Sequence, residues 1–377
     1  MSRKNNTRAR FACHVEQVKK RLAERPLGFQ SALSEKLIRD ALAEAGVEFR
    51  QRVYTPWITL WAFMGQILSK DRTCESAVLQ VQRWRVQQGQ EAPSPETSHY
   101  CDARKRLEVA FLRLLFRKQY AAAMGEMPQQ WRWLGKHDVK VVDGTTFLLP
   151  DSEENRKAYP PEGESEPGTR YPIIRAVVLF TLPIGLIQDF AYGPYEGKGT
   201  GESSLFRRML DTIKPGDVVL GDRYYCSYRD VCEVLRRGGH VVVRHFEERT
   251  NLTLVKRLGK GDGLYWWHRP KWAHQSMSRE EYERLPEKVL VRIVKVRVQI
   301  PGFRVQEYEV LTTLIDPQEY PKESFGELYF LRWRGEVYLD DIKTTLGMDM
   351  LSCKSPEMIA RELIVGFLAH NTVRIQM

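Results

Sequence analysis

Residues 217–245 read DVVLGDRYYCSYRDVCEVLRRGGHVVVRH, and the fold turns on this stretch. DVVLGD is a short apolar run closing on Gly221 and Asp222. YRDVCEVLRRGG has helical spacing and ends on two glycines, and HVVVRH is a second apolar run rich in β-branched residues. Short apolar runs bounded by turn signals read as buried strands, so the stretch is strand, helix, strand. Upstream, VKVVDG (139–144) is another such strand. RYPIIRAVVLFTLP (170–183) and IGLIQDFAYGPYEG (184–197) form two strands joined at Pro183, and SSLFRRMLDTIKPG (203–216) is a helix.

The order is therefore β-β-β-α-β-α-β, the layout of an RNase H-like mixed sheet. The expected fold is α/β, with the first part of this core over 131–246 and the second part over 307–377. Between them, 247–306 is charged and aromatic, with NLTLVKRLG, GLYWWHRP and VLVRIVKVRVQI predicting a β-rich insertion. Residues 1–130 have helical periodicity in VEQVKKRLAER (15–25), FQSALSEKLIRDALAEAG (29–46), TPWITLWAFMGQILSK (55–70), ESAVLQVQRWRVQQG (75–89) and ARKRLEVAFLRLLFRKQYAAAM (103–124). This all-helical N-terminal region is the expected DNA-binding part, and Arg104, Lys105 and Arg106 are either phosphate contacts or a solvated helix face.

Composition points the same way. The 377 residues carry a formal charge of +10 with nine Trp and sixteen Tyr, a balance that favours a polyanion such as nucleic acid. The longest uncharged apolar run, AVVLFTLPIGLIQ (176–188), is too short to span a bilayer, so no membrane partner is expected. The basic N-terminus lacks a signal peptide's apolar stretch, which predicts a cytoplasmic protein. Six scattered cysteines (13, 74, 101, 226, 232, 353) form no metal-ligand spacing and predict reduced thiols. No phosphate-cradling glycine motif follows a strand.

Two aspartates stand at the carboxyl ends of buried strands, Asp143 before Gly144 and Asp222 after Gly221. Each is also the kind of residue that forms a turn or caps a helix. Asp138 and Asp217 open the same strands and suit a structural role better. A third acid, Glu336, lies in YFLRWRGEVYLDDIK (329–343). At 100° per residue Tyr329, Arg332, Glu336 and Lys343 fall within about 60° of arc over about 21 Å of helix. Leu328, Leu331, Tyr338, Leu339, Ile342 and Leu346 form an adjacent apolar arc, so the helix can pack on the sheet with Glu336 at its edge. Two strand-end aspartates and a helix glutamate make an all-oxygen site suited to Mg²⁺ or Mn²⁺. Taken alone, the helix face would be a surface pair of Arg332 with Glu336. Asp340, on the same face, is a further ligand or a rim residue.

VVDGTTF (141–147), GDRYYCSY (221–228) and Tyr329-x2-Arg332-x3-Glu336-x6-Lys343 together resemble the DDE transposases of bacterial insertion sequences, the IS-four family with its Tyr-Arg-Glu-Lys signature. The likeness covers roughly 90–372, including APSPETSHYCDARKRL (92–107). It implies an RNase H-like core with a β-rich insertion between the second Asp and the Glu, and 336 − 222 = 114 residues leave room for one. By this resemblance Asp143, Asp222 and Glu336 are catalytic metal ligands for two ions, Mg²⁺ or Mn²⁺. Tyr329, Arg332 and Lys343 hold DNA phosphates. The implied partners are double-stranded DNA, both terminal inverted repeats and target, and a second copy in a homodimer on paired ends. The implied chemistry is two-metal in-line phosphoryl transfer that cleaves the ends, by way of a hairpin, and joins 3′-OH ends to target DNA. It also implies association with the bacterial nucleoid.

The chain departs from that pattern in two places. Relatives stack a flipped base on a tryptophan where this chain has Tyr308, the candidate base-stacking residue. They also continue past a motif resembling FLAHNTVR (367–374), whereas this chain stops at Met377, as a short member or a truncated copy would. Two other readings share the same constellation: a domesticated DNA-end-binding protein without turnover, and an RNase H-like nuclease that cleaves without joining. Tyr265, Trp266, Trp267 and Trp272, among His268, Arg269 and Lys271, read as the core of a small β unit or as a base-stacking surface. Arg244 and His245, at a strand end, either approach the metals or simply close the strand.

Overall fold

The computed structural model of the protein describes residues 3–24, 33–163, 170–249, 251–273, 277–298 and 306–377. Helices α1 (Arg3–Glu24), α2 (Glu35–Glu44), α3 (Pro56–Leu68), α4 (Cys74–Gln87), α5 (Ser98–Lys105) and α6 (Val109–Gly125) come first. Ser34, Thr55 and Thr73 accept the backbone N–H of Leu37, Ile58 and Ser76, occupying donors that a first helical turn leaves open. The helix expected over 29–46 begins at Glu35, behind its Ser34 cap, and 25–32 lie outside the described residues. The single helix expected over 103–124 is two. Leu107 is drawn into the core, its carbonyl accepts Arg361 Nε at 2.7 Å, and Glu108 takes an extended ψ of 136°.

The chain continues as β1 (Val139–Leu148), α7 (Glu153–Ala158), β2 (Ile173–Thr181), β3 (Leu186–Pro194), α8 (Glu202–Arg207), β4 (Val218–Gly221), α9 (Tyr228–Arg236), β5 (His240–Arg244), β6 (Leu252–Gly259), β7 (Asp262–His268), α10 (Arg279–Glu283), β8 (Lys288–Val298) and β9 (Gln306–Thr312). It ends in α11 (Lys322–Phe330), α12 (Trp333–Asp340), a π turn over Asp341–Thr345 and α13 (Pro356–Ile375). The result is a mixed α/β structure around one nine-stranded sheet, ordered β3-β2-β1-β4-β5-β9-β8-β7-β6. β1, β4 and β5 are parallel, β2 pairs antiparallel with β1, and β3 pairs antiparallel with β2. Buried on both faces, the parallel strands are continuous apolar runs. β9 pairs antiparallel with β5 and with β8, so the strands from 247–306 extend the core sheet edgewise.

Side chains alternate across the sheet. Val141, Phe147, Val178, Phe180 and Leu220 face one side, with Leu339, Ile342 and the α13 residues Leu363, Ile364 and Phe367. Val142, Val177, Leu179 and Val219 face the other, against Leu205 of α8 and Val231 of α9. α13 is buried along most of its length. Its Asn371 bonds both backbone groups of Ile187 at 2.8 and 3.0 Å, and His370 Nε2 meets Gly185 O at 2.9 Å. The HN pair of FLAHNTVR thereby satisfies the backbone of β3 and its turn, which no further strand covers. Among the described residues no helix is long and apolar enough to cross a membrane, and no two cysteines form a disulfide.

Candidate active site

β1 outruns its parallel neighbour. Pairing with β4 ends at Val141–Leu220, while pairing with β2 continues through Asp143–Val178 to Leu148–Ile173. Asp143 is therefore within a strand rather than at its end, because β2 holds the far half of β1 after β4 has stopped. Asp222 follows the last residue of β4 and caps the short turn Arg223–Tyr225, accepting Tyr224 N–H at 2.8 Å with one oxygen. Turn former and site residue are thus the same side chain.

The helix read as continuous over 329–343 is broken. α11 stops at Phe330, and Leu331, Arg332, Arg334 and Gly335 donate to carbonyls three residues back. α12 then runs to Asp340 and widens into the π turn that carries Lys343. Such single π turns recur at functional sites. Gly335 sets the approach of α12 to β1: a Cβ there would lie 2.6 Å from Val141 Cγ1 and 3.7 Å from Asp143 Oδ2. The residue before Glu336 must be small for Glu336 to overlook Asp143.

Asp143, Asp222 and Glu336 line one open cleft of about 640 Å³, together with Tyr329, Arg332, Lys343 and Tyr308. Asp340 lines it too, as do Arg223 and Arg244. Burial pushes the Asp143 carboxyl up to about 6, with Glu336 and Asp222 adding like-charge repulsion against the Gly144 N–H and Arg332. Arg332 Nη2 bonds Glu336 Oε1 at 2.9 Å, and its buried Nε has no acceptor among the described residues. Burial holds the Tyr329 phenol up at about 12. Three carboxylates in mutual repulsion, offering only oxygen donors, fit hard divalent cations.

Tyr308 packs its ring 5.4 Å from that of Tyr329 and beneath the Arg244 guanidinium at 5.1 Å. Arg244 thus reaches the cleft, while neighbouring His245 turns to Glu309 at 3.2 Å. His245, Glu247 and Glu309 bring one ligand atom each within 4.8 Å of the others, and none of the three lines the cleft. Trp267 is fully buried against Tyr228, Trp266 lies under Lys288 at 4.4 Å, and Trp272 is 85% exposed. Of the basic run 104–106, Arg104 turns inward over Tyr100 and Phe63, and Lys105 pairs Asp102 at 3.3 Å. Asp138 pairs Arg132 and Asp217 accepts Lys214 N–H, both structural. One acid escaped the sequence reading. Glu202, at the start of α8, has its carboxyl pushed up by burial and then by the charge of Asp222, with Arg175 pulling it down. No spacing in GTGESSL announces this.

Residues 134–372 match the family described as the transposase DDE domain. The chain is 26% identical over 352 residues to the transposase InsG for insertion sequence element IS4 of Escherichia coli (strain K12), covering 92% of this chain and 75% of that protein. It is 22% identical over 277 residues to the transposase for insertion sequence element IS231F of Bacillus thuringiensis subsp. israelensis, covering 62% and 56%. A solved piggyBac transposase synaptic complex with hairpin DNA aligns at 10% identity and a TM-score of 0.41, over 92% of this chain and 73% of that one, a likeness too loose to bear on the fold. The matched span runs from the turn before β1 through most of α13 and encloses all four acids that line the cleft, so the chain belongs to the transposase DDE domain family.

Proposed function

We propose that this chain is the transposase of an insertion sequence, working through two divalent cations, Mg²⁺ or Mn²⁺, held by Asp143, Asp222 and Glu336. It binds the terminal inverted repeats of its element as a homodimer on paired ends, cleaves the DNA, and joins the freed 3′-OH ends to target DNA. The observation that supports this reading is the convergence of the three acids, from β1, the end of β4 and α12, in one cleft ringed by cations. The parallel β1, β4 and β5 flanked by antiparallel β2 and β3 favour an RNase H-like core. When bound, the cations supply an activated nucleophile and stabilise the leaving oxygen of an in-line displacement.

The chain's own groups account for the rest. Arg332 presents a planar fork to a phosphate, and its unbonded Nε makes an acceptor there favourable. Lys343, on the π turn, adds a point charge, and Arg223 and Arg244 extend the basic rim along the backbone. The Tyr329 hydroxyl, protonated at neutral pH, donates a hydrogen bond. Stacking of a base on Tyr308 would displace Arg244 or Tyr329 from its ring. The 1–130 region and the edgewise strands of 247–306 then serve as the DNA-binding flanks.

Incubating the protein with Mg²⁺ and DNA bearing the element's ends tests this directly. Wild type should cleave and join, and Glu336→Gln should lose both together. Cleavage without joining would establish a nuclease, and end binding without either reaction a DNA-holding protein. Gly335→Ala provides a second check. Alanine raises helix propensity by about 1 kcal/mol, but its methyl meets buried Val141 and overpacking costs about 1–3 kcal/mol, so the net loss of stability should be about 0–2 kcal/mol. Activity should nonetheless fall by roughly a hundredfold, because α12 and Glu336 are pushed from Asp143. Equal activity with an unchanged melting temperature would show that the close approach of α12 has no catalytic role.

A further inference from the structure

We propose that Glu202 is a fourth carboxylate ligand of the cation site, reaching it from the α8 face of the sheet across the space that the missing side chain of Gly144 leaves beside β1. The proposal rests on the metal-site reading above and adds a ligand that the Tyr-Arg-Glu-Lys signature and its two aspartates do not contain.

Along β1 the side chains alternate, so Val141 and Asp143 face α12 while Val142 and Gly144 face α8. A Cβ on Gly144 would lie 2.5 Å from both Cδ and Oε1 of Glu202, and 2.8 Å from Oε2. The Glu202 carboxylate thus occupies the space a side chain at 144 would fill, against bare backbone and one residue from Asp143. On its other flank the Tyr225 hydroxyl donates to Oε2 at 3.3 Å, and Tyr225 belongs to the turn that Asp222 caps. Glu202 is fixed between the two aspartates' own backbone segments.

Its surroundings are unlike those of the chain's structural acids. Asp230 is held by Arg207 at 2.6 Å, Asp341 by Arg374 at 2.7 Å, and Asp262 by Arg292 at 2.6 Å. Glu362 is held by Arg72 at 2.9 Å and by the N–H groups of Ser352 and Cys353. Glu202 has no cation within salt-bridge distance among the described residues, and its Oε1 has no hydrogen-bond donor there. A half-buried acid with no cation in contact, set beside two further acids, is unfavourable until a cation arrives. Gly144 has no need of a positive φ, and its lack of a side chain makes room for the Glu202 carboxylate.

Mn²⁺ binding separates this from a packing role. The full chain is titrated with Mn²⁺, following the free ion by electron paramagnetic resonance, for wild type, Glu202→Gln and Asp143→Asn, and each is melted with and without Mn²⁺. Glu202→Gln keeps the shape and the tyrosine hydrogen bond. It should weaken Mn²⁺ binding about tenfold or more, shrink the Mn²⁺-induced rise in melting temperature, and melt no lower than wild type without metal. Unchanged Mn²⁺ affinity in Glu202→Gln, with affinity lost in Asp143→Asn, overturns the fourth ligand and leaves the three-acid site standing. Unchanged affinity in both overturns that site as well. A metal-free Glu202→Gln that melts below wild type or fails to fold marks a structural glutamate and also overturns the proposal.

Discussion

Asp143→Asn is expected to abolish cleavage and joining while making the metal-free protein more heat-stable at neutral pH. The loss of activity should be on the order of a thousandfold or more, since the substitution removes a carboxylate from the proposed cation site. The gain in stability follows from burial. The carboxyl titrates near 6 in the folded chain against an ordinary 3.8, so the native state holds the proton more tightly than the unfolded one. Such a group contributes its full stability below about pH 4 and loses it as pH rises through about 6. At about 1.4 kcal/mol per pH unit, the ionised form lowers metal-free stability by roughly 3 kcal/mol. Asparagine escapes that penalty. The variant should therefore melt above wild type at pH 7 and converge with it near pH 4, and Mg²⁺ should raise the melting temperature of wild type alone. Thermal melts across that range, with and without Mg²⁺, check all three. A metal-free variant that melts below wild type at neutral pH would show the carboxylate to be structural.

The same residue shows how far the sequence could be read. The order of strands and helices was legible because each core strand is a short apolar run and each helix keeps its own period. Where β1 ends was not: Asp143, Gly144 and two threonines look like a turn, yet β2 supplies hydrogen bonds as far as Leu148. A strand's partner lies elsewhere in the chain, and only that partner decides its length. The four residues that the helix wheel over 329–343 placed on one face do line one cleft, for a reason the wheel did not contain. Tight i→i−3 bonds over 331–335 overwind the chain before Glu336, the π turn underwinds it afterwards, and the two deviations act in opposite directions. Gly335 left a visible signal, since glycine inside a helix is unfavourable without a packing reason. Glu202 left none, because its relation to Asp222 depends on which sheet face α8 covers. The insertion's strands were recognisable by composition, but their continuity with the core rests on β9, which pairs on both edges.

Arg374→Met is expected to be among the most destabilising single substitutions in the chain. Arg374 Nη2 bonds Asp341 Oδ2 at 2.7 Å, with the two side chains 4% and 0% exposed. The guanidinium also lies over the rings of Phe11 at 4.4 Å and Tyr338 at 4.6 Å. One side chain of α13 therefore ties together α1, α12 and the π turn that opens at Asp341. Burial pulls the Arg374 guanidinium down, while Tyr338 and Asp341 favour its charged form. Methionine fills much of the volume but takes from buried Asp341 the guanidinium that faces it at 2.7 Å, a loss of about 3–5 kcal/mol. With an unfolding entropy of roughly 2 cal/mol/K per residue, that is about 5 °C in melting temperature for a chain of this length. The companion variant decides the cause. Adding Asp341→Leu removes the buried carboxylate as well, so Arg374→Met with Asp341→Leu should recover most of the loss. Failure to recover would assign the loss to the ring contacts with Phe11 and Tyr338. Recovery of stability without recovery of DNA joining would place the pair's importance in the π turn, where the ion pair holds the backbone that aims Lys343 into the cleft.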